Sequence, residues 1–118
     1  MRYTDRAKKG GEGEEVNFFV IDFDNTNFPS LLLKVLNTLD YITEVSVKVL
    51  TAFDGSATME LGFPADNDEI APSSKIRLQT TDGLFKFFPY RQSALTESLT
   101  AFFAGTPTIG NGKIFIFQ

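Results

Sequence analysis

From Glu15 onward the chain runs in short stretches that alternate apolar and polar residues, and each stops at a turn. That pattern demands strands, because only a strand sends successive side chains to opposite faces. Val45, Val47 and Val49 point one way, while Glu44, Ser46 and Lys48 point the other. Ala57, Met59, Leu61 and Phe63 alternate with Thr58, Glu60 and Gly62. Ile76 and Leu78 alternate with Lys75, Arg77 and Gln79, and Phe85 and Phe87 with Leu84, Lys86 and Phe88. Leu95, Leu99, Ala101 and Phe103 fall on one face, interrupted by Glu97, and Lys113 to Phe117 is apolar on both faces. Asp54-Gly55-Ser56 and Asp82-Gly83 read as tight hairpin turns in which glycine supplies positive φ. A polar loop runs from Gly105-Thr106-Pro107 to Gly110-Asn111-Gly112. Short strands about ten residues apart predict one all-β domain, an antiparallel β-sandwich or jelly-roll-like fold, over residues 15–118.

One segment reads two ways. As a helix, Pro29 to Leu39 would gather Leu31, Leu32, Val35, Leu36 and Leu39 on one face; as a strand it would gather Leu31, Leu33 and Val35. Strand is the preferred reading.

Phe18 to Thr26, FFVIDFDNT, raises the question of chemistry. An apolar run ending in D-x-D-x-T resembles the first motif of haloacid-dehalogenase-type phosphatases, in which Asp22 would attack phosphorus and Asp24 would serve as acid and base. That chemistry needs a parallel sheet with crossover helices, each βαβ unit taking about thirty residues. The strands after Ile42 follow one another too closely for that. The simpler reading makes Asp22 an outward strand residue and Asp24-Asn25-Thr26-Asn27 the turn that ends the strand.

Composition narrows the rest. The 118 residues hold no cysteine, so neither a disulfide nor a thiolate metal site can form, and no histidine, which removes the commonest general base. Thirteen phenylalanines and no tryptophan supply the bulk. The acidic run Asp66-Asn67-Asp68-Glu69 lacks the glycine-centred pattern of a calcium loop and reads as a solvated connection between strands. No catalytic residue, metal ligand or cofactor is expected. No secretory h-region and no membrane-length apolar run is present, and the expected place of synthesis is a cytoplasm.

Charge is unevenly distributed. Residues 1–10 carry Arg2, Arg6, Lys8 and Lys9 against Asp5, a balance of +3; the whole chain is −4, so residues 11–118 carry −7. Residues 1–14 therefore read as an extended basic, glycine-rich N-terminal arm, with those four cations as partner-binding residues. Phe88 and Tyr90, with Phe115 and Phe117, are the candidate interface aromatics. The acidic body argues against nucleic acid.

Two segments resemble small β-sandwich structural proteins of tailed bacteriophages, of the capsid decoration or cement kind. They are ITEVSVKVLTAFDG, Ile42 to Gly55, and GTPTIGNGKIFIFQ, Gly105 to Gln118. The resemblance implies a non-enzymatic virion protein on the capsid surface, assembled in the host cytoplasm. Its partners would be the major capsid protein and further copies of itself, a trimer among the options, with neither nucleic acid nor membrane. Two alternatives stand beside it: a tail- or fibre-associated module or a carbohydrate-binding one using Phe88, Tyr90 and neighbouring aromatics, and the small phosphatase using Asp22 and Asp24.

Overall fold

A computed structural model describes residues 18–118; the arm expected at 1–14 lies outside them. The described residues form ten strands. These are β1 (Phe18–Asp24), β2 (Ser30–Leu36), β3 (Tyr41–Ile42), β4 (Glu44–Thr51) and β5 (Thr58–Phe63), then β6 (Asp66–Ala71), β7 (Leu84–Phe87), β8 (Arg91–Gln92), β9 (Glu97–Ala104) and β10 (Asn111–Phe117). Two 3-10 turns, Asn25–Asn27 and Ser73–Lys75, are the remaining regular elements, and among the described residues there is no α-helix. Residues 30–36 are strand, as preferred above.

The strands build two four-stranded sheets, ordered β1-β10-β4-β7 and β2-β9-β5-β6, with β3 and β8 forming a small ribbon. Every pairing is antiparallel. The order has a simple logic. Setting the ribbon aside, the first strand pairs with the last, β2 with β9, β4 with β7 and β5 with β6. The chain is one long hairpin rolled into a sandwich, which is the jelly-roll arrangement.

Alternation decides what faces inward. Val45, Val47 and Val49 on β4, Met59 and Leu61 on β5, Leu99 and Ala101 on β9, and Ile114 and Ile116 on β10 are all fully buried. Each such aliphatic side chain contributes about 1.5–3 kcal/mol, except alanine and its smaller area. Phenylalanine closes one end of the core. Phe23 stacks on Phe53 at 5.6 Å and on Phe103 at 5.9 Å, and Phe28 stacks on Phe103 at 4.6 Å. The last strand, apolar on both faces, lies between β1 and β4, where both of its edges are paired.

Four local readings need correction. Asp54-Gly55-Ser56 is a turn but no hairpin, because β4 and β5 belong to different sheets. Asp82-Gly83 is likewise no hairpin, because no strand leads into it, and it is Asp82 that takes the positive φ, 63°. Lys75 to Gln79 is not a strand; Ile76 and Leu78 are buried loop anchors, and the Leu78 carbonyl accepts from the Phe53 N–H at 2.9 Å. Asp66 to Glu69 is not a connection but the start of β6, paired to β5 around the two-residue turn Pro64-Ala65. Gly62 permits that tight return: a Cβ there would stand 2.4 Å from the Asp66 carbonyl oxygen.

Candidate interaction surfaces

The two carboxylates of FFVIDFDNT have structural partners. Asp22 points outward from β1, opposite Lys113 of β10, and its Oδ1 accepts from Lys113 Nζ at 2.5 Å. Asp24 caps the first 3-10 turn. Its Oδ1 accepts from the Thr26 N–H at 2.8 Å and from Thr26 Oγ1 at 2.5 Å, while Asn27 Oδ1 accepts from the Asp24 N–H. Those bonds hold the Asp24 carboxyl below the usual range, the Thr26 hydroxyl contributing most. The parallel sheet and crossover helices of the phosphatase reading are absent among the described residues. Asp22→Asn removes one exposed ion pair and is expected to change stability by less than about 0.5 kcal/mol. Chemical denaturation checks this; a loss above about 2 kcal/mol would mean that Asp22 holds something other than Lys113.

The two segments carrying the phage resemblance are far apart in sequence and fold onto each other. Their strands β4 and β10 are neighbours, Val47 facing Ile114. Asp54 of the first segment ties down the loop of the second. Its Oδ1 accepts from the N–H groups of Thr108 at 2.6 Å and Ile109 at 3.2 Å, and its Oδ2 accepts from Thr108 Oγ1 at 2.6 Å. The Thr108 hydroxyl, then the two N–H groups, lower the Asp54 carboxyl from its ordinary value. The two segments thus form one loop-clamping unit of the scaffold.

The candidate aromatics fall into two places. Phe115 and Phe117 lie on the outer face of β10, where Phe18 of the neighbouring strand packs on both, at 5.9 and 4.8 Å. Phe88 and Tyr90 lie beyond β7, with β4 between them and β10. They stack on each other at 6.2 Å, with 52% and 63% of their surfaces exposed. The structure therefore does not bring the four together. Arg2, Arg6, Lys8 and Lys9 lie outside the described residues.

Tyr90 belongs to a larger feature that the alternating pattern conceals. The β3/β8 ribbon pairs Tyr41 with Gln92 and Ile42 with Arg91, and Leu39 donates its N–H to the Ser93 carbonyl at 2.8 Å. On or beside this ribbon stand Leu39, Tyr41, Tyr90 and Leu95, all exposed. Leu39 and Tyr90 also hold left-handed backbone, φ 77° and 45°, which costs a bulky residue about 1–3 kcal/mol. Arg91 anchors the ribbon. Its Nε donates to Glu69 at 2.6 Å, its Nη1 and Nη2 to the Glu97 carboxylate at 2.5 and 3.2 Å, and its guanidinium lies 4.2 Å from the centre of the Phe63 ring. Arg91 pulls the Glu97 carboxyl below its usual range, and Glu97 in turn raises the guanidinium. Strand periodicity gives no sign of this ribbon, since each strand is two residues long; the unconsumed apolar residues flanking Asp40 and Arg91 were the available signal.

No protein-family model matches the sequence, and no curated protein does. The fold does find matches. A chain in the acidic stable capsid structure of Helicobacter pylori bacteriophage KHP30 superposes with a TM-score of 0.71 at 10% identity, over 88% of this chain and 86% of that one. A chain in the cyanophage Pam1 capsid asymmetric unit superposes with a TM-score of 0.62 at 12% identity, over 99% and 97%. At these identities the fold is what is shared.

Proposed function

We propose that this is a bacteriophage virion protein, a decoration or cement protein that binds the major capsid protein at the head surface and stabilises the shell without catalysing a reaction. The observation that carries the reading is the superposition, over most of the chain, on chains of two phage capsids. The surface offered to the shell is the ribbon end of the sandwich, where Leu39, Tyr41, Tyr90 and Leu95 stand exposed on or beside a ribbon whose Arg91 is paired with Glu97. Apolar and aromatic residues presented on a fixed frame suit docking, because little side-chain freedom is lost on binding. Phage heads prepared without the protein supply the test. The protein should cosediment with them and raise their disruption temperature. The pair Leu39→Ser with Tyr90→Ser should weaken that binding at least tenfold while leaving the fold intact by circular dichroism. Failure of the parent protein to bind heads would reject the reading. A second reading, glycan recognition, is favoured by the exposed Phe88–Tyr90 stack, whose Phe88 lines a groove with Glu69, Lys86 and Arg91. Binding on a glycan array that is lost in Tyr90→Ser would support it.

A further inference from the structure

Among the described residues the two sheets end in four edge strands, β1 and β7 in one sheet and β2 and β6 in the other. An unprotected edge is a template for another chain, and natural sheets blunt theirs with charge, brevity, bulges or inward-pointing lysines. Three of these edges are blunted. β6 begins with Asp66, Asp68 and Glu69. β7 is four residues long and carries Lys86. β2 is bulged: Leu99 and Thr100 face Lys34 and Leu32, leaving Leu33 without a partner in the ladder. Lys34 shares its face with the buried Leu99, and its Nζ lies 4.6 Å from the centre of the Phe19 ring.

β1 carries charge only at its far end, at Asp22 and Asp24, and has none of the other devices. It is seven residues long, pairs with β10 without a register break and contains no lysine, proline or glycine. Among the described residues its second edge has no partner. The flanks of that edge are apolar as well, with Phe18 and Val20 at 48% and 46% exposure on one face of the sandwich and Leu32 and Val35 at 55% and 45% on the other.

We propose that the open edge of β1 accepts residues 1–9 of a second copy of this chain as an added strand. Two observations select that occupant. Residues 1–17 precede Phe18, the first residue of β1, so in every copy that segment is joined to one end of the acceptor strand. At about 3.3 Å per residue, seven or eight residues of it match the length of β1. Charge is complementary too: residues 1–10 carry +3 and residues 11–118 carry −7, so bodies repel each other while an arm attracts a body, and the exposed carboxylates of Asp22 and Asp24 mark the far end of the strand. A copy's own arm could pair with the backbone of the edge. It has almost no apolar side chains to cover Phe18, Val20, Leu32 and Val35, whereas a donor body arriving with its arm would. Donation from copy to copy is heterologous and closes into a ring where the rotation permits.

The test needs no capsid, so its outcome is independent of whether the protein binds a head. Sedimentation velocity over a hundredfold concentration range should show association of the full chain that weakens as salt rises. Deletion of residues 1–14 should weaken it at least tenfold. So should Val20→Lys, which blunts the edge at an exposed position that plays no part in the core. Hydrogen exchange of the β1 amides should slow with concentration in the full chain and not in the deletion. Association that survives the deletion overturns the proposal, as does indifference to Val20→Lys. β1 amides protected at every concentration in the full chain and unprotected in the deletion would mean that the arm folds back on its own strand, which also overturns it.

Discussion

Gly110→Ala is expected to destabilise the protein by about 4 kcal/mol or more, a large fraction of the stability of a domain this size. Two independent effects add. Gly110 holds φ 132°, a conformation that L residues rarely adopt. A Cβ built there would also stand 2.3 Å from Cγ of Phe53 and 2.4 Å from one of its Cδ atoms. The ring has little room to retreat, because it stacks on Phe23 at 5.6 Å and on Phe28 at 6.1 Å. Overpacking a close-packed aromatic cluster costs about 1–3 kcal/mol in addition to the backbone strain. Gly83→Ala is the control. The atoms nearest its Cβ are a half-exposed Phe85 ring and a carbonyl, all at 3.0 Å, and its φ is ordinary. It should cost about 1 kcal/mol. Guanidinium denaturation of both variants decides the matter; a Gly110→Ala midpoint within a few tenths molar of the parent would show that Phe53 has room to move.

The same glycine shows where sequence reading stops. Gly110 was legible as the end of a loop, but Asn111 and Gly112, read as part of that loop, already belong to β10, whose strand character was read only from Lys113. That Phe53, far away in the chain, lies against Gly110 follows from the rolled-hairpin topology and from no local signal. Alternation exposed β4, β5 and β9 because burial on one face is what writes the period of two; β10 stood out instead as a run apolar on both faces. The acidic opening of β6 was misread for a physical reason: aspartate and asparagine are poor strand formers, and an edge strand tolerates them because charge there discourages foreign pairing. Ile76 and Leu78 misled in the opposite direction. Both are buried and two apart, yet only the Leu78 carbonyl bonds across to the neighbouring segment, so the chain passes over the core without joining a sheet. Of the candidate contacts, the aromatics were legible as residues and not as a surface. The β3/β8 ribbon that frames Tyr90 is too short to leave a periodicity.

Arg91→Ala should cost about 3 kcal/mol, or roughly 10–15 °C in melting temperature. Arg91 and Glu97 keep only 22% and 16% of their side-chain surface exposed, so removing the cation strands a partly buried carboxylate and uncovers the face of Phe63. Arg91→Lys keeps the charge without the two-pronged donor and should recover less than half of the loss. The effect must also depend on pH. Glu97 is lowered from an ordinary value of 4.5, chiefly by its hydrogen bonds from Arg91. A lowered carboxyl stabilises the folded state at pH above its unfolded value, and that contribution is lost as pH falls through the folded value. Parent and Arg91→Ala should therefore differ fully at neutral pH and progressively less below about pH 4.5. Asp24 and Asp54, lowered by their hydrogen bonds, fade over the same acid range in both proteins and do not affect the difference. Asp68 runs the other way. Its carboxyl is raised by the hydrogen bond and charge of Asp66, so protonating it relieves repulsion on β6, again equally in both. A stability gap that persisted undiminished at pH 3 would assign the role of Arg91 to its contact with Phe63 instead of to its bond with Glu97.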